Sequence, residues 1–243
     1  MGRKNSNANR YNNRQRNYKP WQDATEEDRV QTAKPTFTVV RAITDSLKRY
    51  DAAIKSGEVI FGDGPAGTGK TLMAVARAAE ALDKGIIDKI IVTRPAVTVE
   101  GEEFGFLPGE LDEKYAPYLR PVSDHFIKVV GRGKFDCWVK SGKVEAIPMA
   151  FMRGLSVKAW IIADEMQNAT FGQFKMLLTR GEDGTKFIIN GDSSQQNDLS
   201  DGQSGLQEVM HKLRSTHGVQ LVHFSEEDIV RGGITQRIVK ALS

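Results

Sequence analysis

The sequence predicts an α/β fold, a mostly parallel sheet with helices on both faces, on three observations. From about residue 36 short apolar strands alternate with segments of helical apolar spacing. One strand-to-helix junction, Gly64-Pro65-Ala66-Gly67-Thr68-Gly69-Lys70-Thr71, is a complete phosphate-binding loop. Two later apolar strands end in polar groups, at Asp164-Glu165 and at Asp192. Ligands on parallel sheets sit at the carboxyl ends of the strands.

The elements follow in order. Residues 1–30 read as a polar, basic, disordered tail with almost nothing to bury. Its first 20 residues carry Arg3, Lys4, Arg10, Arg14, Arg16 and Lys19 and no acid, with Tyr11 and Tyr18 interleaved. Mixed charges and rings suit single-stranded nucleic acid, and equally a solubilising tail. An acidic stretch, Asp23 to Asp28, separates the tail from a body spanning 36–243.

Residues 42–54 form a helix with Ile43, Leu47, Tyr50 and Ile54 on one side. A strand at 59–61 leads into the loop, and a helix carrying Leu72, Val75, Ala76 and Ala79 runs to about Asp83. Further strands are expected at 89–93, 144–148, 159–163, 186–189 and 219–223. Further helices are expected at 115–130, 171–178, 206–213 and 229–242. The long excursion at 96–140 interrupts the alternation, and such an insertion in a compact domain is usually functional.

The chain has 243 residues, 40% hydrophobic and 27% charged, which suits one large domain or two small ones. No apolar run reaches 18 residues, so no membrane helix is expected. No apolar leader follows the basic start. The lone Cys137 forms no internal disulfide, fits a reducing, cytoplasmic setting, and reads as a packing residue beside Trp138. The four histidines show no zinc spacing. The net charge of +3 belongs to the tail: beyond residue 20 there are 28 basic and 31 acidic side chains, a body at −3.

The loop supplies backbone N–H groups and a helix start to phosphate oxygens. Lys70 is placed to reach the β- and γ-phosphates of ATP, and the Thr71 hydroxyl to hold Mg²⁺. Asp164 contacts the metal or accepts from its bound water. Glu165 orients or deprotonates the attacking water. A kinase has no need of such a glutamate and an ATPase does, which sets a small-molecule kinase behind. Asp192 and Gln195 are candidates to sense the γ-phosphate. Arg94 meets a nucleic-acid phosphate, a nucleotide phosphate or an acid, and Arg153 has the same three options.

The loop GPAGTGKT, with TRPAV at 93–97, GFLPGEL at 105–111, YAPYLRP at 115–121, AFMRG at 150–154, ADEMQN at 163–168 and GDSSQ at 191–195, resembles the PhoH-like proteins. These are single-domain ATPases related to superfamily one helicases. The resemblance covers about residues 45–241. It implies a RecA-like core, ATP hydrolysis and association with RNA, with the acids and Gln195 matching helicase motifs two and three. The family's adenine-reading Gln before the loop has no counterpart in Ser46-Leu47-Lys48-Arg49-Tyr50, where Tyr50 can stack on a base instead. The basic tail resembles that of a phage or small bacterial member.

Related helicases close the ATP site between two such cores, and this chain has room for one. The resemblance therefore implies a homo-oligomeric ring, a hexamer for example, with each site completed in trans. Arg231 is the first candidate finger and Arg237 the second, each also readable as a surface arginine. A nucleotide-gated RNA binder that separates no strands is the alternative function.

Overall fold

Alternate side chains of the strands enter two separate apolar cores, so the sheet is buried on both faces as an all-parallel sheet must be. Ile60, Val92, Ile162 and Ile188 face one core, and Phe61, Ile91, Ile161 and Ile189 face the other. The computed structural model describes residues 37–95, 122–152, 158–194 and 204–230. All lie within one compact unit, Phe37–Ser243.

In chain order the elements are α1 (Asp45–Ser56), β1 (Val59–Asp63), α2 (Lys70–Asp83), β2 (Ile90–Thr93), α3 (122–130), α4 (Arg132–Lys140), β3 (Val144–Ala146), β4 (Trp160–Ala163), α5 (Phe171–Leu178), β5 (Lys186–Gly191), α6 (Leu206–Leu213) and β6 (Val219–His223). Short 3₁₀ turns lie at Met149–Met152, Met166–Asn168 and Glu226–Asp228. The strand order is β3-β2-β4-β5-β1-β6, every pair parallel. This is a RecA-like α/β arrangement. Its telling feature is that β5 lies between β1, which feeds the phosphate loop, and β4, which ends at Asp164.

Helices α1 to α4 cover the first core, and α5 and α6 the second. Local chemistry sets their starts. The Thr44 hydroxyl accepts from the Leu47 N–H to cap α1. Thr170 and Gln173 close a capping box on α5, a motif that contributes about 1 kcal/mol.

Three expectations are corrected. Ile43 lies outside α1, which begins after the Thr44 cap, and is exposed. Cys137 is exposed: α4 buries Phe135 and Trp138, three residues apart, and turns Cys137 away. Of the helix expected over 229–242, Ile229 is extended, at φ −69° and ψ 114°. The remainder from residue 231, like the tail, residues 96–121 and the first turns expected for 115–130, falls outside the described residues.

Candidate active site

Helix α2 starts at Lys70 directly from Gly69, with no side-chain cap on its first turn. Its leading N–H groups are left for a ligand, the arrangement that binds phosphate. Gly69 holds φ 89° and ψ 9°, a left-handed turn that a side chain would strain. Gly64 is constrained more severely: at φ 139°, a Cβ would lie 2.3 Å from the Phe224 carbonyl oxygen. The loop is pinned at its start and at its middle. The Gly64 N–H donates to the Gly191 carbonyl at 3.1 Å, and the Val230 N–H to the Gly67 carbonyl at 3.1 Å.

Lys70 is buried. Its ammonium donates to the carbonyls of Gly64 and of Pro65, the latter at 2.8 Å, and to the Thr68 hydroxyl at 3.3 Å. Burial pulls its pKa down, while the nearby carboxylates of Asp192, Asp164, Asp63 and Glu165 push the other way. The Thr68 side chain, fully buried, braces the loop by donating to the Pro65 carbonyl at 3.1 Å. Pro65 and Ala66 form the open rim.

Across the site Thr71 donates its hydroxyl to Asp164 Oδ1 at 3.0 Å. Asp164 is buried, and burial raises its pKa, the neighbouring Glu165 charge adding to the rise. Glu165 has φ 55° and ψ 39°, the one non-glycine residue with positive φ among the described residues. Such strain persists only where the surroundings enforce it, commonly at functional sites. Two partners hold this side chain: Arg94 at 3.1 Å on Oε1, and the Gln167 amide at 2.7 Å on Oε2. Of the three options for Arg94, the structure realises pairing with an acid.

Gln167 has a second contact. Its Oε1 accepts from the Asp192 N–H at 3.3 Å, joining the β4 tip to the β5 tip. The Asp192 carboxylate accepts from the Ser194 N–H and hydroxyl in a local turn. The structure thus brings Gly64 to Thr71, Arg94, Asp164, Glu165 and Asp192 to one edge of the sheet. Gln195, Arg153, Arg231 and Arg237 lie outside the described residues.

Tyr50 is not available as a base platform. Its ring is fully buried, edge-on to Phe224 at 5.5 Å between centroids, and its hydroxyl donates to Asn190 Oδ1. The correction has a simple cause: Tyr50 belongs to the apolar stripe of α1 that faces the core.

Asn190, Gln167, Asp63 and Ser193 were not assigned roles from sequence. Asn190 sits on β5 between the two halves of the site. Its amide stabilises the Asp164 charge without being aligned as a hydrogen bond, leaving Nδ2 a buried donor without a partner. A polar residue following the run Phe187-Ile188-Ile189 within the strand was the available signal. Such a donor is costly unless a ligand meets it. The uncapped loop, the Thr71–Asp164 pair and this donor together fit a magnesium-bound nucleoside triphosphate.

Comparison with known proteins finds relatives over most of the chain. The family described as PhoH-like protein matches residues 39–243. A PhoH-like protein of Bacillus subtilis is 44% identical over 204 residues, 83% of this chain and 63% of its own length. Protein PhoH of Escherichia coli is 41% identical over 208 residues, 84% of this chain and 58% of its own. The chain thus spans about three fifths of the length of these relatives. Among solved structures, the large terminase of a thermophilic bacteriophage in complex with ADP has the same fold. Its TM-score is 0.51 at 10% identity, over 81% of this chain and 48% of the terminase. With the family match extending from residue 39, ahead of α1, to residue 243, a span that includes the whole of the candidate site, the chain belongs to the PhoH-like protein family.

Proposed function

We propose that the protein hydrolyses ATP with Mg²⁺ and couples the reaction to binding or remodelling of single-stranded RNA, strand separation included. The observation that carries the reading is the approach of Thr71 to Asp164, which unites the phosphate loop with the acidic strand tip. Thr71 and Asp164 would hold the metal, whose charge offsets that of the phosphates when bound. Lys70 exchanges its loop carbonyls for phosphate oxygens. Glu165 accepts the proton of the attacking water from a position fixed by Arg94 and Gln167. Asn190 supplies a buried donor between them.

An RNA partner is supported by the basic, tyrosine-bearing first 20 residues. Assembly into a homo-oligomeric ring is supported by the open rim of the loop at Pro65 and Ala66, which a neighbour would close with Arg231 or Arg237 as the finger supplied. The exposed lone Cys137 fits a reducing cytoplasm. No helix of the described residues is long and apolar enough to cross a membrane.

The test is ATP turnover with and without single-stranded RNA, alongside solution mass. RNA-stimulated turnover by an oligomer is expected, and phosphate appearing on an acceptor other than water would overturn the reading. Mixing Arg231→Ala with Lys70→Ala protein should restore turnover if sites are shared. Deleting residues 1–20 should weaken RNA binding and flatten its salt dependence.

A further inference from the structure

On the face of the sheet opposite α2, an open cavity of about 350 Å³ lies between the ends of β1, β5 and β6 and helix α6. Asp63, Ser193, Gln207, His211, Arg214 and His223 line it, with the apolar surface of Met210 and Leu221. Asp63 is buried and immediately precedes Gly64 of the phosphate loop. Its carboxylate is already engaged. Oδ1 accepts from the Ser193 N–H at 2.7 Å. Oδ2 accepts from the Ser193 hydroxyl at 2.8 Å and meets His223 Nδ1 at 2.9 Å. What remains for a ligand is the exposed Arg214 guanidinium, which only donates, together with the imidazole of His211 and that of His223, whose ring is oriented by Asp63 with Nε2 left over, an acceptor in the neutral ring and a donor in the imidazolium.

The cavity is wired to Glu165. The Gln207 amide on α6 donates to the Ser193 carbonyl at 3.0 Å. Ser193 follows Asp192, whose N–H donates to Gln167, and Gln167 donates to Glu165. A ligand that draws on Gln207, Ser193 or His223 therefore acts on the residues that set the Glu165 carboxylate and on the start of the phosphate loop.

We propose that this cavity is a subsite for a backbone phosphate of single-stranded nucleic acid, from which strand binding is relayed to Glu165. The planar fork of Arg214 matches phosphate oxygens, and the adjoining Met210 and Leu221 suit the sugar edge of the same nucleotide. The inference rests on the proposed RNA reading and gives it a location on the folded body, separate from the tail.

The experiment is fluorescence anisotropy of a labelled single-stranded RNA oligonucleotide across a salt series, with wild-type, Arg214→Ala and His211→Ala full-length proteins. Both positions are exposed, and an unchanged melting temperature confirms that the fold is kept. Losing one phosphate contact should make the slope of log K against log salt shallower by about 0.7 for Arg214→Ala. The ratio of RNA-stimulated to basal ATP turnover should fall toward one. Inorganic phosphate forms the second arm. If Arg214→Ala keeps its RNA affinity and slope but needs more phosphate to slow turnover, the cavity takes the free ion and the proposal is overturned. Wild-type affinity and stimulation in both variants overturn it as well, with the RNA reading intact. A wild-type protein that binds no RNA overturns both.

Discussion

Thr71 and Asp164 are 93 residues apart in the chain and joined by a 3.0 Å hydrogen bond between hydroxyl and carboxylate. Thr71 lies in the first turn of the helix that follows β1, and Asp164 directly follows β4; these two strands are not neighbours in the sheet, since β5 separates them. The reach is made by α2, which leaves the phosphate loop and lies over β4 and β5 on the first core. A metal between loop and strand tip needs this crossing, and the geometry is in place in the protein alone.

Replacing Asp164 by Asn should stabilise the protein while disabling it. Burial raises the Asp164 pKa above its ordinary 3.8. Folding therefore favours the protonated form, and stability falls as pH rises through the window above 3.8 and stays lowered beyond it. Asn removes that penalty at neutral pH and still accepts from Thr71. The variant should melt higher than wild type at pH 7 without magnesium, by about 2–4 °C for each kcal/mol relieved. The advantage should vanish in acid, where both side chains are neutral. Stabilisation by magnesium and ATP should be lost. Thermal melts at two pH values with and without magnesium and ATP check this; a lower melting point at pH 7 would contradict it.

Glu165→Gln should bind ATP almost normally and turn over about 10²–10⁴-fold more slowly, the range associated with a positioned general base. The amide keeps the size of the side chain but cannot take a proton. Equilibrium binding of a labelled ATP analogue beside single-turnover hydrolysis separates the two effects. Turnover within a few-fold of wild type would remove Glu165 from the role of base.

Arg94→Ala separates holding Glu165 from holding RNA. With the 3.1 Å ion pair gone, Glu165 keeps only the Gln167 amide and its left-handed backbone. The kcat should fall, with KM for ATP and affinity for RNA near wild type, because Arg94 acts through the carboxylate. Steady-state kinetics and RNA titration read these independently. Weakened RNA binding with unchanged kcat would assign Arg94 to the strand.

Much of this architecture was legible in the sequence because its signals are local. Helices α5 and α6 and strand β6 occupy the spans their periodicity predicts, and the loop with its flanking strand and helix is complete in one stretch. The strand order was not legible, since each buried strand offers the same apolar run. Gln167 and Ser193 act through partners on other strands, at distances in the chain that no local pattern encodes. Tyr50 is a different lesson: the spacing that places it with Leu47 and Ile54 already put its ring in the core, and only its place in the stretch where the family carries an adenine-reading Gln favoured a ligand role.

Tyr50→Phe tests that correction and the role of Asn190 together. If the ring stacked on a base, Phe would preserve binding and stability alike, since only a hydroxyl is lost. The structure predicts otherwise. The hydroxyl satisfies the buried Oδ1 of Asn190, and removing it leaves an unpaired acceptor that costs about 1–3 kcal/mol of stability. KM for ATP should hold, because the fully buried ring presents no face to a base. The kcat should fall, because an unanchored Asn190 is free to turn its amide away from Asp164, where it now stabilises the charge. Melting temperature, KM and kcat are therefore expected to change differently. A purely structural tyrosine would lower the melting temperature and leave kcat alone. A stacking tyrosine tested as Tyr50→Ala would raise KM before it touched stability, whereas loss of this buried ring should unfold the protein first.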